Sequence, residues 1–208
     1  MKSCLLIVFL ALGLIGCANN QLNVLAPNPT TGKFETSTIF GPSEIKTYIP
    51  IDNYHSQKFI VVDSFVDLQT WQEDYKPYIY GMLKNSGMDN FATMADLENI
   101  VIANNLGREI STVRNRIGLN QLSKYIGPFL YLSADLDYLG NDSFNFVVTI
   151  YDPITSSVKF YGQKAAIGWV GIDGPILTPM FNEVKRWVED SKKLSKKNKE
   201  NTGREIGT

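Results

Sequence analysis

The chain has 208 residues, 44% of them hydrophobic and 12% aromatic, enough apolar content to bury a core within one domain of ordinary size. A formal net charge of -1 excludes a globally basic binder of nucleic acid. A single histidine and only 2 cysteines exclude a multi-histidine zinc centre and a disulfide-stapled scaffold.

Met1 to Cys17 has the order of a secretory signal: Lys2 supplies a positive start, Leu5 to Leu14 are apolar, and the small residue Gly16 precedes Cys17. The apolar stretch is far short of the roughly 20 residues that span a bilayer, and polar Asn19, Asn20 and Gln21 follow, so a cleaved signal is expected rather than a membrane helix. Leu14, Ile15, Gly16 and Cys17 together resemble a bacterial lipobox, in which the first three are read by the signal peptidase and the cysteine receives diacylglyceryl and further acyl chains such as palmitate. Ala18, where Asp would retain a protein at the inner membrane, implies by the same resemblance sorting to the periplasmic face of the outer membrane. Several acyl chains make such an attachment stable, since each buried methylene contributes about 0.8 kcal/mol. Removal of residues 1–16 takes Cys4 with it, so the mature chain has no partner for a disulfide and its fold stands on its core.

Residues 17–50 are rich in Asn, Thr, Pro, Ser and Gly without periodicity and read as a lipidated cysteine on a flexible tether, which fully stretched would reach about 100 Å. Ile39, Ile45, Ile49 and Ile51 mark a part of it suited to docking as an edge strand. Residues 51–190 carry the regular pattern of a periplasmic domain. Phe59 to Phe65 form a β-rich run. Leu68, Trp71, Tyr75, Tyr78, Ile79 and Met82 then recur at helical spacing, with Asp67 as cap, Gly87 past the end and Pro77 set to bend or break the helix. Phe91 to Met94 suggest a short strand, and Thr93 with Asp96 a capping box before Leu97, Ile100 and Val101, in a helix ending near Gly107. Leu119, Leu122, Tyr125 and Ile126 predict helical turns stopped at Gly127 and Pro128.

From Phe129 to Tyr138, apolar Leu130, Leu132, Ala134 and Leu136 alternate with Tyr131, Ser133, Asp135 and Asp137, the pattern of a strand with one buried and one wet face. A turn at Gly140 to Ser143, a strand from Phe144 to Tyr151, a turn at Asp152 and Pro153, and a strand over about 158–170 complete an antiparallel meander. Leu177, Met180, Phe181, Val184, Trp187 and Val188 build a closing amphipathic helix. The lysine-rich residues 191–208 read as a disordered basic tail, with contact to anionic glycan or lipid headgroups as the sharper alternative. The fold class is α/β: one mixed sheet with a C-terminal meander, packed by two to four helices.

This order, the early Phe-Ile-Val-Val-Asp-Ser-Phe strand, the Ala95-Asp96-Leu97 helix start, the Tyr125-Ile126-Gly127 stop and the Tyr151-Asp152-Pro153 turn resemble the periplasmic domains of the TolB N-terminal type, found also in envelope lipoproteins of the CsgG and LpoB kinds. The resemblance spans about Phe59 to Asp190 and implies an accessory or assembly factor in envelope biogenesis or secretion, without a cofactor, binding a protein partner and able to self-assemble. The chain lacks the long alternating insertions that would form membrane-spanning strands, which disfavours a pore.

Catalytic readings find little to stand on. His55 is the single histidine, in a loop before the first domain strand, with no serine or carboxylate at a spacing that promises a triad. Asp135 and Asp137 share a strand face, with Asp63 on a neighbouring strand, and this trio is the one hint of acid-base or calcium chemistry. The stretch Gly168 to Pro175 offers Trp169, Ile172 and Asp173 as a contact patch, for a protein or by stacking on the sugars of peptidoglycan or an exported polysaccharide.

Overall fold

The computed structural model describes residues 23–36, 42–66, 72–141, 143–167 and 173–205. In chain order the strands are β1 (Glu44–Tyr48), β2 (Ile60–Val66), β3 (Phe91–Ala92), β4 (Leu130–Gly140), β5 (Ser143–Asp152) and β6 (Ser157–Ile167). The helices are α1 (Gln72–Asn85), α2 (Met94–Ala103), α3 (Arg116–Ile126) and α4 (Thr178–Glu205). The strands form one 6-stranded mixed sheet in the order β1-β6-β5-β4-β2-β3. β2 runs parallel to β3 and β4, while β4, β5, β6 and β1 are successively antiparallel.

The alternation of β4 decides how the sheet is covered. Leu130, Leu132, Ala134 and Leu136 are fully buried and join Phe146, Val148, Ile150 and Phe160 in the larger core, beneath Tyr78, Ile79 and Met82 of α1 and Phe181, Val184 and Trp187 of α4. Among the described residues, the other face is covered toward one end, where Leu97 and Val101 of α2 and Leu119 and Leu122 of α3 pack on Val61, Phe129 and Tyr151. Thr93 caps α2 in a complete capping box, its hydroxyl accepting from Asp96 N–H while the Asp96 carboxylate accepts from Thr93 N–H. Gly140 and Asn141 both take positive φ, 86° and 50°, which twists the β4–β5 turn in the sense its strands require. The mixed sheet under two helical layers agrees with the α/β expectation.

Three expectations need correction. Helix α1 continues from Gln72 to Asn85 with Pro77 inside it on the exposed side, so the proline does not break it. The stretch expected to be a tether to residue 50 is largely built into the domain. Phe34 is 3% exposed within the larger core, and its backbone N–H and C=O pair with the two ends of the Asn182 side-chain amide at 2.8 and 3.0 Å. Before it, a loop closes on Asn28, whose carboxamide oxygen accepts from Thr30 and Thr31 N–H. After it, β1 pairs with the edge of β6, as Ile45 hinted. Residues 191–205 of the expected disordered tail are helical: α4 continues to Glu205, with Ser191 and Ser195 buried. Those hydroxyls accept from Ile51 N–H at 3.1 Å and His55 N–H at 3.4 Å, satisfying a connecting segment that has no strand partner there.

The helix start at residues 67–71 and the last residues of the expected final strand lie outside the described residues.

Candidate functional site

Residues 1–22, with Leu14, Ile15, Gly16 and Cys17, and residues 168–172, with Trp169 and Ile172, lie outside the described residues. Asp173 opens a π turn over Asp173–Leu177 that leads into α4, and its side chain is likewise not described. Register pairs Val66 with Leu136 and Ser143 with Ile167, so β2, the β4–β5 turn and β6 all finish at one end of the sheet. There Tyr138 and Leu139 are 47% and 62% exposed. β6 ends at Ile167 beside this apolar hairpin tip, two positions before Trp169 in the sequence. Sequence reading did not single out Tyr138 and Leu139, because an exposed Tyr-Leu pair beyond an alternating strand is indistinguishable from a continuation of it.

Asp63, Asp135 and Asp137 fall on the sheet face left open beyond α2 and α3, since Asp63 pairs with Ser133 and Asp135 with Val147. Tyr131 donates its hydroxyl to the Asp63 carboxylate at 2.9 Å. Burial raises the Tyr131 phenol, and the neighbouring Asp63 charge and hydrogen bond add to it. Burial also lifts the Asp135 carboxyl to about 6; a hydrogen bond from Ser133 opposes the rise, and the negative charges of Asp137 and Asp63 support it. Arg116 at the start of α3 lies over the Tyr151 ring, 5.1 Å from its centroid, and the Tyr151 hydroxyl is 2.6 Å from the Asn120 amide. This arrangement raises the proton affinity of a half-buried carboxyl and ties Asp63 into the sheet. Among the described residues, no His, Cys, Asp and Glu side chains group in a way that would hold a metal ion.

His55 lies in a 3-10 turn (Tyr54–Ser56) at the opposite end of the domain, edge-on to the Tyr54 ring at 6.1 Å. It borders a cleft of about 270 Å³ lined by Tyr54, Gln57, Phe59, Asp89, Asn90 and Lys192. The Lys192 ammonium donates to Gly87 C=O at 2.6 Å and lies 5.6 Å from the Tyr54 ring centroid. The carboxylate trio is on the opposite sheet face, so the structure does not bring His55 and the aspartates together.

No family model and no curated protein matches the chain. Among solved structures, it is similar to the C-terminal domain of LpoB from Salmonella enterica at 15% identity and TM-score 0.36, covering 53% of this chain and 82% of that one. The LpoB C-terminal domain from Escherichia coli gives 15%, 0.35, 52% and 82% on the same measures. A dodecamer of a PelC variant from Paraburkholderia phytofirmans gives 11%, 0.40, 71% and 98%. Among the described residues, no helix is long and apolar enough to cross a membrane.

Proposed function

We propose that this chain is a lipoprotein held at the periplasmic face of the outer membrane through acyl chains on Cys17, and that it acts without catalysis by binding a protein partner in envelope assembly or secretion. The observation that carries the reading is the N-terminal order of charge, apolar run and Leu14-Ile15-Gly16-Cys17. Support for a binding role comes from the sheet end where Tyr138 and Leu139 are exposed beside the last residue of β6, because aromatic anchors carry much of the energy of protein interfaces. The aspartates are engaged as structural groups, with Asp63 bonded to Tyr131 and Asp135 shielded within the sheet face.

Two measurements test it. Mass spectrometry of the N-terminal peptide should show acylation of Cys17, lost together with membrane fractionation in Cys17→Ala; an unmodified peptide beginning elsewhere overturns the anchor. Crosslinking in intact cells should capture one envelope protein with the wild type and lose it with Trp169→Ala. Self-crosslinks alone would point to a homo-oligomer, and recovery of only peptidoglycan or polysaccharide fragments would replace the protein partner by a glycan.

A further inference from the structure

We propose that the end of the domain where α1 finishes and the α4 lysines begin lies directly on the membrane that holds the anchor, with those lysines on anionic phospholipid headgroups. This rests on acylation of Cys17. The leash is short, because Val24 is already docked: a Cβ on Gly81 would stand 2.5 Å from Val24 Cγ2. Leu25 follows, its N–H on Met82 Sδ at 3.3 Å and its C=O accepting from the Asn85 amide at 2.7 Å. From Cys17 to Val24 the chain takes seven peptide steps, which at about 3.3–3.6 Å each reach no further than about 25 Å. A leash this short holds the docking point at Val24 within about 25 Å of the bilayer.

The docking point also decides which part is near. Leu25 is held by Asn85, and Lys192 by Gly87 two residues further along the same chain turn, so the α4 lysines begin where the leash ends. On α4 the buried Ser191 and Ser195 mark the docked side, and Lys192, Lys196 and Lys199, at i, i+4 and i+7, form a row on the flank facing α1. Lys193, Lys196, Lys197 and Lys199 are exposed, as is Lys84 on α1. Lys193 has Asp190 beside it at 3.5 Å, whereas Lys196, Lys197 and Lys199 form no ion pair among the described residues. Asp135 and Asp137 lie on the far face of the sheet, while Asp89 beside Lys192 and Asp52 beside Asn198 share the basic end. Each lysine held near an anionic leaflet favours the apposed arrangement about fivefold, and the anchor supplies the high local concentration that makes so weak a contact count.

The test uses the whole acylated chain in vesicles of phosphatidylethanolamine and phosphatidylglycerol carrying a headgroup spin label. With Cys4 removed and the Cys17 thiol acylated, a single introduced cysteine takes a fluorophore at Glu200→Cys on α4 or at Ala165→Cys on the open sheet face. Strong quenching at position 200 and little at 165 is expected. It should fall several-fold in high salt, in phosphatidylcholine vesicles, and in a variant with Lys193, Lys196, Lys197 and Lys199 all changed to Gln, whose melting should be unchanged because these side chains are exposed. Equal quenching at both positions, or quenching indifferent to the four substitutions, overturns the placement while leaving the anchor standing. Stronger capture by purified peptidoglycan than by the vesicles overturns the lipid as occupant. An N-terminal peptide without acyl groups overturns the anchor and this placement together.

Discussion

Phe34→Ala is the sharpest test of whether residues 23–36 belong to the domain or to a tether. Phe34 is 3% exposed and packs in the larger core, so truncation removes a buried ring and leaves a cavity at its site. Buried Phe→Ala changes cost about 3–5 kcal/mol, and a segment near the chain's beginning can relax inward, which favours the lower figure, about 3 kcal/mol. For a chain of this size each kcal/mol shifts the melting temperature by about 2–4 °C, so a drop of roughly 10 °C is expected in a circular-dichroism melt of the processed chain. The bidentate grip of Asn182 on the Phe34 backbone survives the substitution, so the loss isolates packing. Glu35→Ala serves as control: it removes an exposed bond from Asn28 and should stay within about 0.5 kcal/mol of wild type. If Phe34→Ala falls in that same narrow range, the segment is a tether and the short leash proposed for the membrane contact is lost with it.

Three further outcomes follow from the geometry. Asp135 keeps its proton to about 6 when folded, whereas an unfolded Asp releases it near 3.9, so the folded state binds more protons and stability falls as pH rises from about 4 to about 6. The full shift corresponds to roughly 3 kcal/mol, reduced to around 1 kcal/mol because the side chain is half open to solvent. Asp135→Asn should therefore raise the urea midpoint at pH 7 and flatten that slope, and an unchanged slope would reject a buried, proton-retaining Asp135 as its cause. Gly118→Ala places a Cβ 1.6 Å from Thr112 C=O, a clash with backbone that must displace the start of α3, and unfolding should ease by about 3 kcal/mol. Thr93→Ala opens the capping box and should lower stability by about 1 kcal/mol, with hydrogen exchange accelerated first in α2.

What the sequence reveals is whatever repeats locally. The alternation of β4 announces its two faces because this antiparallel arrangement buries one face and leaves much of the other wet, and the Asp135–Asp137 spacing then follows from the pleat. The capping box of α2 and the Gly140–Asn141 turn are equally local signals. Phe34 is a lone aromatic among Thr, Gly, Lys and Glu, and what fixes it is a carboxamide 148 residues away. Ser191 and Ser195 look solvated in a lysine-rich run, yet they are buried as acceptors for backbone N–H groups of a connection about 140 residues earlier. Composition reports the absence of periodicity, and absence of periodicity is a different property from absence of structure. The bond from Tyr131 to Asp63 is illegible for another reason: it depends on the parallel register of β2 and β4, which no local pattern encodes.

The two proposals constrain each other through the direction of the elements. β2 runs toward the hairpin end of the sheet and α1 returns from it, and contacts of Tyr78 with Thr178 and of Gly87 with Lys192 show that α4 descends alongside α1. The lysines of α4 therefore stand at the end opposite Tyr138, Leu139 and the last residue of β6. An 11-residue strand such as β4 is about 36 Å long at 3.3 Å per residue, so a domain with its lysine end on headgroups presents its hairpin tip roughly that far from the leaflet. A partner gripped by the tip is then a protein reaching down from the periplasm, or the periplasmic part of a larger membrane assembly, and not a neighbour lying flat on the same leaflet. Lengthening the leash would leave both contact surfaces intact but free the domain to turn, so an inserted Gly-Ser stretch after Asn20 should weaken partner crosslinking without altering the stability of the fold. Crosslinking that is indifferent to such an insertion would mean that the partner finds the tip by its own chemistry and that the membrane end contributes no orientation.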